Sequence, residues 1–137
     1  MHLVEIEKER PDFRVFIDLL YGHDRNVDTD GNSIPVHSRI WTELYISDRE
    51  SNDPSVEISL SVDQPKVFVV ESESDRLEEL AALYLFLTSG TSISNSSTRL
   101  SAEQILELQR RYAPELARAA NSIWHKSSHG VPYPNLA

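Results

Sequence analysis

The segment Asn26-Val27-Asp28-Thr29-Asp30-Gly31-Asn32 sets side-chain oxygens at alternate positions ahead of a glycine, as the opening of a calcium loop does. Such a loop also needs a hydrophobic eighth residue and a bidentate glutamate at its twelfth position. Those places hold Ser33 and His37. No flanking helices are expected, so a turn between two strands, with Asp and Gly tolerating left-handed backbone, is the better reading.

His125 and His129 are four apart, a spacing that puts two imidazoles on one helix face. A zinc hydrolase of that pattern needs glutamate directly after the first histidine, and Lys126 stands there. His23-Asp24 could couple to a distant serine, but no Gly-x-Ser-x-Gly elbow exists. Glu78-Glu79 lies on a predicted helix face and is expected to be solvated. With four glycines and neither phosphate-loop pattern, a nucleotide cradle has little to be built from. The chain has no cysteine, which removes disulfides, thiolate nucleophiles and Cys-based zinc sites. No catalytic residue, cofactor or metal is assigned. An enzyme or metal-dependent domain built on His23, His37, His125 or His129 with nearby carboxylates remains the rival reading.

Charge is the more informative feature. Residues 1–90 carry 19 acidic against 8 basic residues, whereas 91–137 carry 3 against 5, for a net −9. A lopsided negative field repels phosphates and attracts basic surfaces. Arg99, Arg110, Arg111 and Arg118 form no basic stripe, so no direct nucleic-acid partner is expected. Glu5, Glu7, Glu9, Asp12, Asp24, Asp28, Asp30, Asp48, Glu50 and Asp53 fall in predicted loops or at exposed strand positions. From these, the expected partner-binding residues are Asp24, Asp28, Asp30, Glu43, Asp48, Glu50 and Asp53, with Trp41 and Tyr45 as aromatic anchors. The implied activity is a non-enzymatic protein-binding domain, of inhibitor or immunity type, that blocks a basic toxin, nuclease or other effector. A homo-oligomer, joined through a strand edge or the tail Pro132-Tyr133-Pro134, is a further possibility.

The elements that must position these residues change character near residue 71. Before it, Leu3 to Lys8, Ile40 to Ile46 and Val56 to Val62 alternate as strands do. Val67 to Val70 is a short apolar run expected to be covered on both faces. Phe13 to Tyr21 fits either period, and its β-rich surroundings favour a strand. After residue 71, Leu77, Leu80, Ala81, Tyr84 and Leu87 mark a buried helix over 74–89 that ends before Gly90. Residues 88–98 read as a flexible Ser/Thr-rich connector. Ser101 and Gln104 form a capping box with Leu100 stapling onto Ile105, and Pro114 breaks the helix 102–125 near Tyr112. In its second half Leu116, Ala120, Ile123 and Trp124 should point inward. The tail 127–137 is expected to be extended.

A single α+β domain follows. An antiparallel sheet of four to five strands from residues 2–71 is packed on one face by the two helical segments. Val4, Ile6, Ile58, Leu60, Val69, Leu80, Tyr84, Ile105 and Leu108 are the expected core. The N-terminus lacks a basic and apolar leader, and no apolar run approaches the length of a membrane span. A cytoplasmic protein with no membrane partner is expected.

Overall fold

The computed structural model describes residues 1–23 and 25–134. Alternation sets its core. In β1 (His2–Ile6) the side chains of His2, Val4 and Ile6 are buried, while Glu5 is exposed. The same period in β3 (Glu43–Asp48), β4 (Val56–Leu60) and β5 (Val67–Ser72) buries Leu44, Ile46, Val56, Ile58, Phe68 and Val70. The register aligns them, with Leu44 opposite Ile58, Ile58 opposite Val70 and Phe68 opposite Val4. With β2 (Val27–Gly31), β6 (Gly90–Asn95) and β7 (Thr98–Arg99), they form one antiparallel sheet in the order β2-β3-β4-β5-β1-β6-β7. The α+β class is as expected, with seven strands in place of four to five.

Helix α2 (Asp75–Ser89) covers one face of this sheet, lying over β1, β5 and β6. Ser74 caps it by accepting the Leu77 amide at 3.2 Å. Leu77, Leu80, Ala81, Leu83, Tyr84 and Leu85 are all buried, although Leu87, expected on the same stripe, is exposed. Helix α3 (Ala102–Arg111) begins with the expected Ser101–Gln104 capping box. Pro114 sits in the first turn of α4 (Ala113–Ala120), so the break falls at Tyr112. These two helices pack mainly on α2 and α1 (Arg14–Leu20), forming a second helical layer instead of lying directly on the sheet. The chain leaves α4 earlier than expected and makes a 3-10 turn over Ile123–Lys126. Ala120 and Ile123 are therefore exposed, and Trp124 is half-buried.

Several expectations fail because tertiary contacts decide the segment. Phe13 to Tyr21 contains a helix: the Asp12 carboxylate accepts the Arg14 amide at 3.0 Å, and Val15, Phe16, Leu19 and Leu20 form a buried helical stripe. Phe16 meets Trp41 and Tyr84 edge to face at 5.9 and 5.4 Å. Residues 26–32 hold a strand, β2, and not a turn. Most of the Ser/Thr-rich connector 88–98 is the paired strand β6, in which Ile93 is buried opposite Val4, while its ends belong to α2 and β7. The run Val67 to Val70 is buried on one face only, so Val67 and Val69 are half-buried. Leu60 and Ile105, also expected in the core, lie half-buried against it. Of the tail, residues 127–134 fold back on α1, with Arg14 Nη2 donating to the Pro132 carbonyl at 2.7 Å; residues 135–137 lie outside the described residues.

Gly90 serves close packing and not a left-handed cap, since its φ is −105°. A Cβ there would lie 2.9 Å from Val4 Cγ1 and 3.0 Å from both the Glu5 carbonyl oxygen and Phe86 Cα. Gly90→Ala should destabilise the protein by about 1–3 kcal/mol, the range for overpacking, as read from urea denaturation.

Candidate functional site: an acidic open sheet face

Helices on one face leave the other face of the sheet uncovered, and period-two alternation decides what stands there. β1 contributes Leu3 and Glu5, β5 contributes Val67, Val69 and Glu71, and β4 contributes Glu57 and Ser59. Glu43 and Tyr45 come from β3, and Asp28 and Asp30 from β2. The register places Asp30 opposite Tyr45, Tyr45 opposite Glu57, and Glu57 opposite Glu71. One row of side chains thus crosses four adjacent strands, about 14 Å at the usual strand spacing. Beside it, Asp30, Glu43, Tyr45, Glu57 and Ser59 line a shallow depression of about 280 Å³.

The charge of this row is uncompensated. Among the described residues no lysine or arginine lies within salt-bridge distance of Glu5, Asp30, Glu43, Glu57 or Glu71. The helical arginines are engaged elsewhere: Arg110 with Glu107, Arg111 with Glu79, and Arg118 with the Asp18 and Leu19 carbonyls. Arg99 stands opposite Ser94 at the far edge of the sheet, on β7.

The described partner-binding residues expected from sequence divide into three groups. Asp30, Glu43 and Tyr45 share the open face, and Asp53 is exposed in the loop after β3. Asp28 is on the same face but pairs with Arg49. Asp48, Glu50 and Trp41 do other work. Asp48 is buried and accepts from Arg25 Nη2 at 2.7 Å, the Glu50 amide at 2.9 Å and Ser51 Oγ at 3.1 Å. Burial pushes its carboxyl up, but these three donors together hold it below the usual carboxylate range. Glu50 faces Arg25 Nε at 3.2 Å. Trp41 is 1% exposed, so it is a core residue and not an anchor; its indole donates to the Pro11 carbonyl at 2.9 Å. Asp24 lies outside the described residues. Glu57 and Glu71 were missed, although each occupies an outward position in a strand whose alternation was legible.

Two buried polar clusters were also missed. Asp12, expected at the surface, is fully buried and accepts from Arg14 Nε at 3.0 Å, Arg14 Nη2 at 2.7 Å and Ser127 Oγ at 2.6 Å. The Arg14 guanidinium stacks 3.9 Å from the Trp124 ring centroid. Glu78 is buried rather than solvated, with His2 Nδ1 at 2.5 Å, the Met1 α-amino group at 3.1 Å and the Ser72 amide at 3.2 Å. Burial pushes its carboxyl up, yet the three partners bring it below the usual carboxylate range. Glu79 accepts from the Tyr112 hydroxyl at 2.6 Å. Burial and that carboxylate push the Tyr112 phenol up to about 12.

Of the histidines of the rival reading, two meet and two lie apart. His23 faces Asp18 at 3.3 Å and His125 Nε2 lies 2.8 Å from the Ala119 carbonyl. His37 and His129 meet edge to face at 5.7 Å. Among the described residues no three His, Asp or Glu side chains converge as a metal site would require. No described helix is long and apolar enough to cross a membrane. No protein family, curated protein or solved structure matches the chain.

Because the Glu78 carboxyl is depressed in the fold, its contribution is present above the ordinary carboxylate pKa and is lost as pH falls through the folded value. Glu78→Gln should cost about 2 kcal/mol at pH 7, the scale of hydrogen bonds to a charged group. The gap from the parent should narrow in urea melts taken at progressively acid pH. A gap independent of pH would show that the carboxylate charge contributes nothing.

Proposed function

We propose that this chain is a non-enzymatic protein-binding domain whose acidic open sheet face engages a basic protein. An inhibitor or immunity-type role, blocking a cationic toxin, nuclease or comparable effector, suits that surface. A cytoplasmic setting suits the cysteine-free composition. The observation that carries the reading is the row Asp30, Tyr45, Glu57, Glu71, where Glu57 and Glu71 stand directly opposite each other and, among the described residues, neither pairs with a lysine or arginine. Like charges across a strand pair are unfavourable, by roughly 0.2–1 kcal/mol. A partner's lysine or arginine would relieve that repulsion on binding, which ties affinity to a strain already present in the free protein. Tyr45, half-buried in the same row, supplies an aromatic surface with a hydroxyl for such a contact. An acidic blocker also gains steering toward basic targets and selectivity against acidic ones.

Two measurements test this. Glu57→Gln should raise stability by about 0.2–1 kcal/mol in urea denaturation, since it removes the repulsion with Glu71. Affinity capture from host extract at low salt should retain a basic protein that elutes in a salt step. The doubly reversed variant Glu43→Lys with Glu57→Lys should lose it. Retention by the reversed variant, or capture indifferent to salt, would sink the proposal.

A further inference from the structure

Strand β2 is the outermost strand of the sheet, bonded on one side only. Its pairing with β3 fixes which backbone groups remain free. The Arg49 amide donates to the Asn26 carbonyl at 2.9 Å, and the Asn32 amide to the Glu43 carbonyl at 3.1 Å. With Asp28 opposite Ser47 and Asp30 opposite Tyr45 between them, the even-numbered residues carry the bonds to β3. The amides and carbonyls of Val27, Thr29 and Gly31 therefore point away from the sheet. Among the described residues, no backbone group meets those of Val27 and Thr29 on that side. The Gly31 amide is held only by the Asp30 carboxylate at 2.8 Å.

The two sides of this edge differ in chemistry. Asp28 and Asp30 stand on the open-face side, exposed. Asp28 already touches Arg49, but both side chains are about half exposed, so that pair is weak and displaceable. On the helix side, Thr29 and Gly31 border a cavity of about 170 Å³ floored by Phe13 and Leu44. Such a cavity accommodates one aliphatic side chain.

From this free edge, with carboxylates on one side and an apolar-floored cavity on the other, we infer that β2 accepts an extended segment of the basic partner as an eighth, antiparallel strand. Lysine or arginine at alternate positions of that segment meets Asp28 and Asp30, and an aliphatic residue between them enters the cavity. The inference rests on the acidic-face reading and adds how the partner docks. A second copy of this chain is a poor occupant, because its own Asp28 and Asp30 would face their counterparts across the new pair.

The peptide acetyl-Lys-Val-Lys-Val-Lys-amide tests it by NMR titration of the full chain at low salt. The expected result is shifted and exchange-protected amides at Val27 and Thr29. The same peptide N-methylated at both valines, whose amides would donate to the β2 carbonyls, should bind at least tenfold more weakly. Thr29→Pro removes an outward amide without removing a bond to β3 and should weaken the parent peptide comparably. If the N-methylated peptide binds as well as the parent, with shifts at Glu43, Glu57 and Glu71 instead, the edge inference falls while the acidic-face reading stands. If no peptide binds, or binding ignores salt, both fall. A wild-type dimer in sedimentation that Thr29→Pro dissociates would give the edge to a second copy and overturn the inference.

Discussion

Helix α2 presents an unbroken buried run from Leu80 to Leu85, and it rests on β1, β5 and β6 from one side of the sheet. A sheet can bury one face against such a helix only if every strand holds a register that turns its apolar set toward it. A slip of one residue would exchange the two faces. That constraint fixes Val4, Phe68, Val70, Ile58 and Leu44 inward, and in doing so it fixes Glu5, Glu57, Glu71 and Glu43 outward. The acidic face is thus the obligatory reverse side of the hydrophobic core.

Buried polar contacts then lock the periphery to that core. Asp12 gathers Arg14 and Ser127, and the Arg14 guanidinium reaches on to the Pro132 carbonyl and the Trp124 ring, so residues 124–132 are tied to the start of α1. Asp48 and Arg25 tie the approach to β2 to the end of β3. Glu78, with His2, ties α2 to the first residues of β1. Each is a buried charge with several hydrogen-bond partners, the condition under which such a group is tolerated inside a protein. These three carboxylates hold the molecule together and are unavailable to a partner.

The acids of the chain therefore form two populations. Asp12, Asp48 and Glu78 find several internal donors, whereas among the described residues Glu5, Glu43, Glu57 and Glu71, at outward strand positions, have no lysine or arginine partner. The helical arginines do not bridge the populations, because α2 and the sheet itself lie between them and the open face. A field of one sign consequently survives on one side of the molecule, concentrated where strand pairing sets Glu57 against Glu71. Within the isolated chain that arrangement weakens the sheet.

Local patterns alone determined the α+β class, the strands around Ile58 and Val69, the buried helix 74–89, the capping box at Ser101 and the break at Pro114. In each of these, the physics acts within a few residues: alternation, helical period, capping and the missing proline amide. Phe13 to Tyr21 satisfied both periods, and only the Asp12 carboxylate, Trp41 and Tyr84 around it decided for a helix. Residues 88–98 looked too polar to be ordered, yet pairing with β1 makes a strand of Gly90–Asn95, with Ile93 buried in the core. Charge placed the acidic excess in the first 90 residues without saying which acids stand on the open face. Trp41, Asp48 and Glu50 look like their neighbours in the sequence. Their burial or pairing depends on partners such as Pro11 and Arg25, which are 23 to 30 residues away along the chain and adjacent only once the sheet has closed.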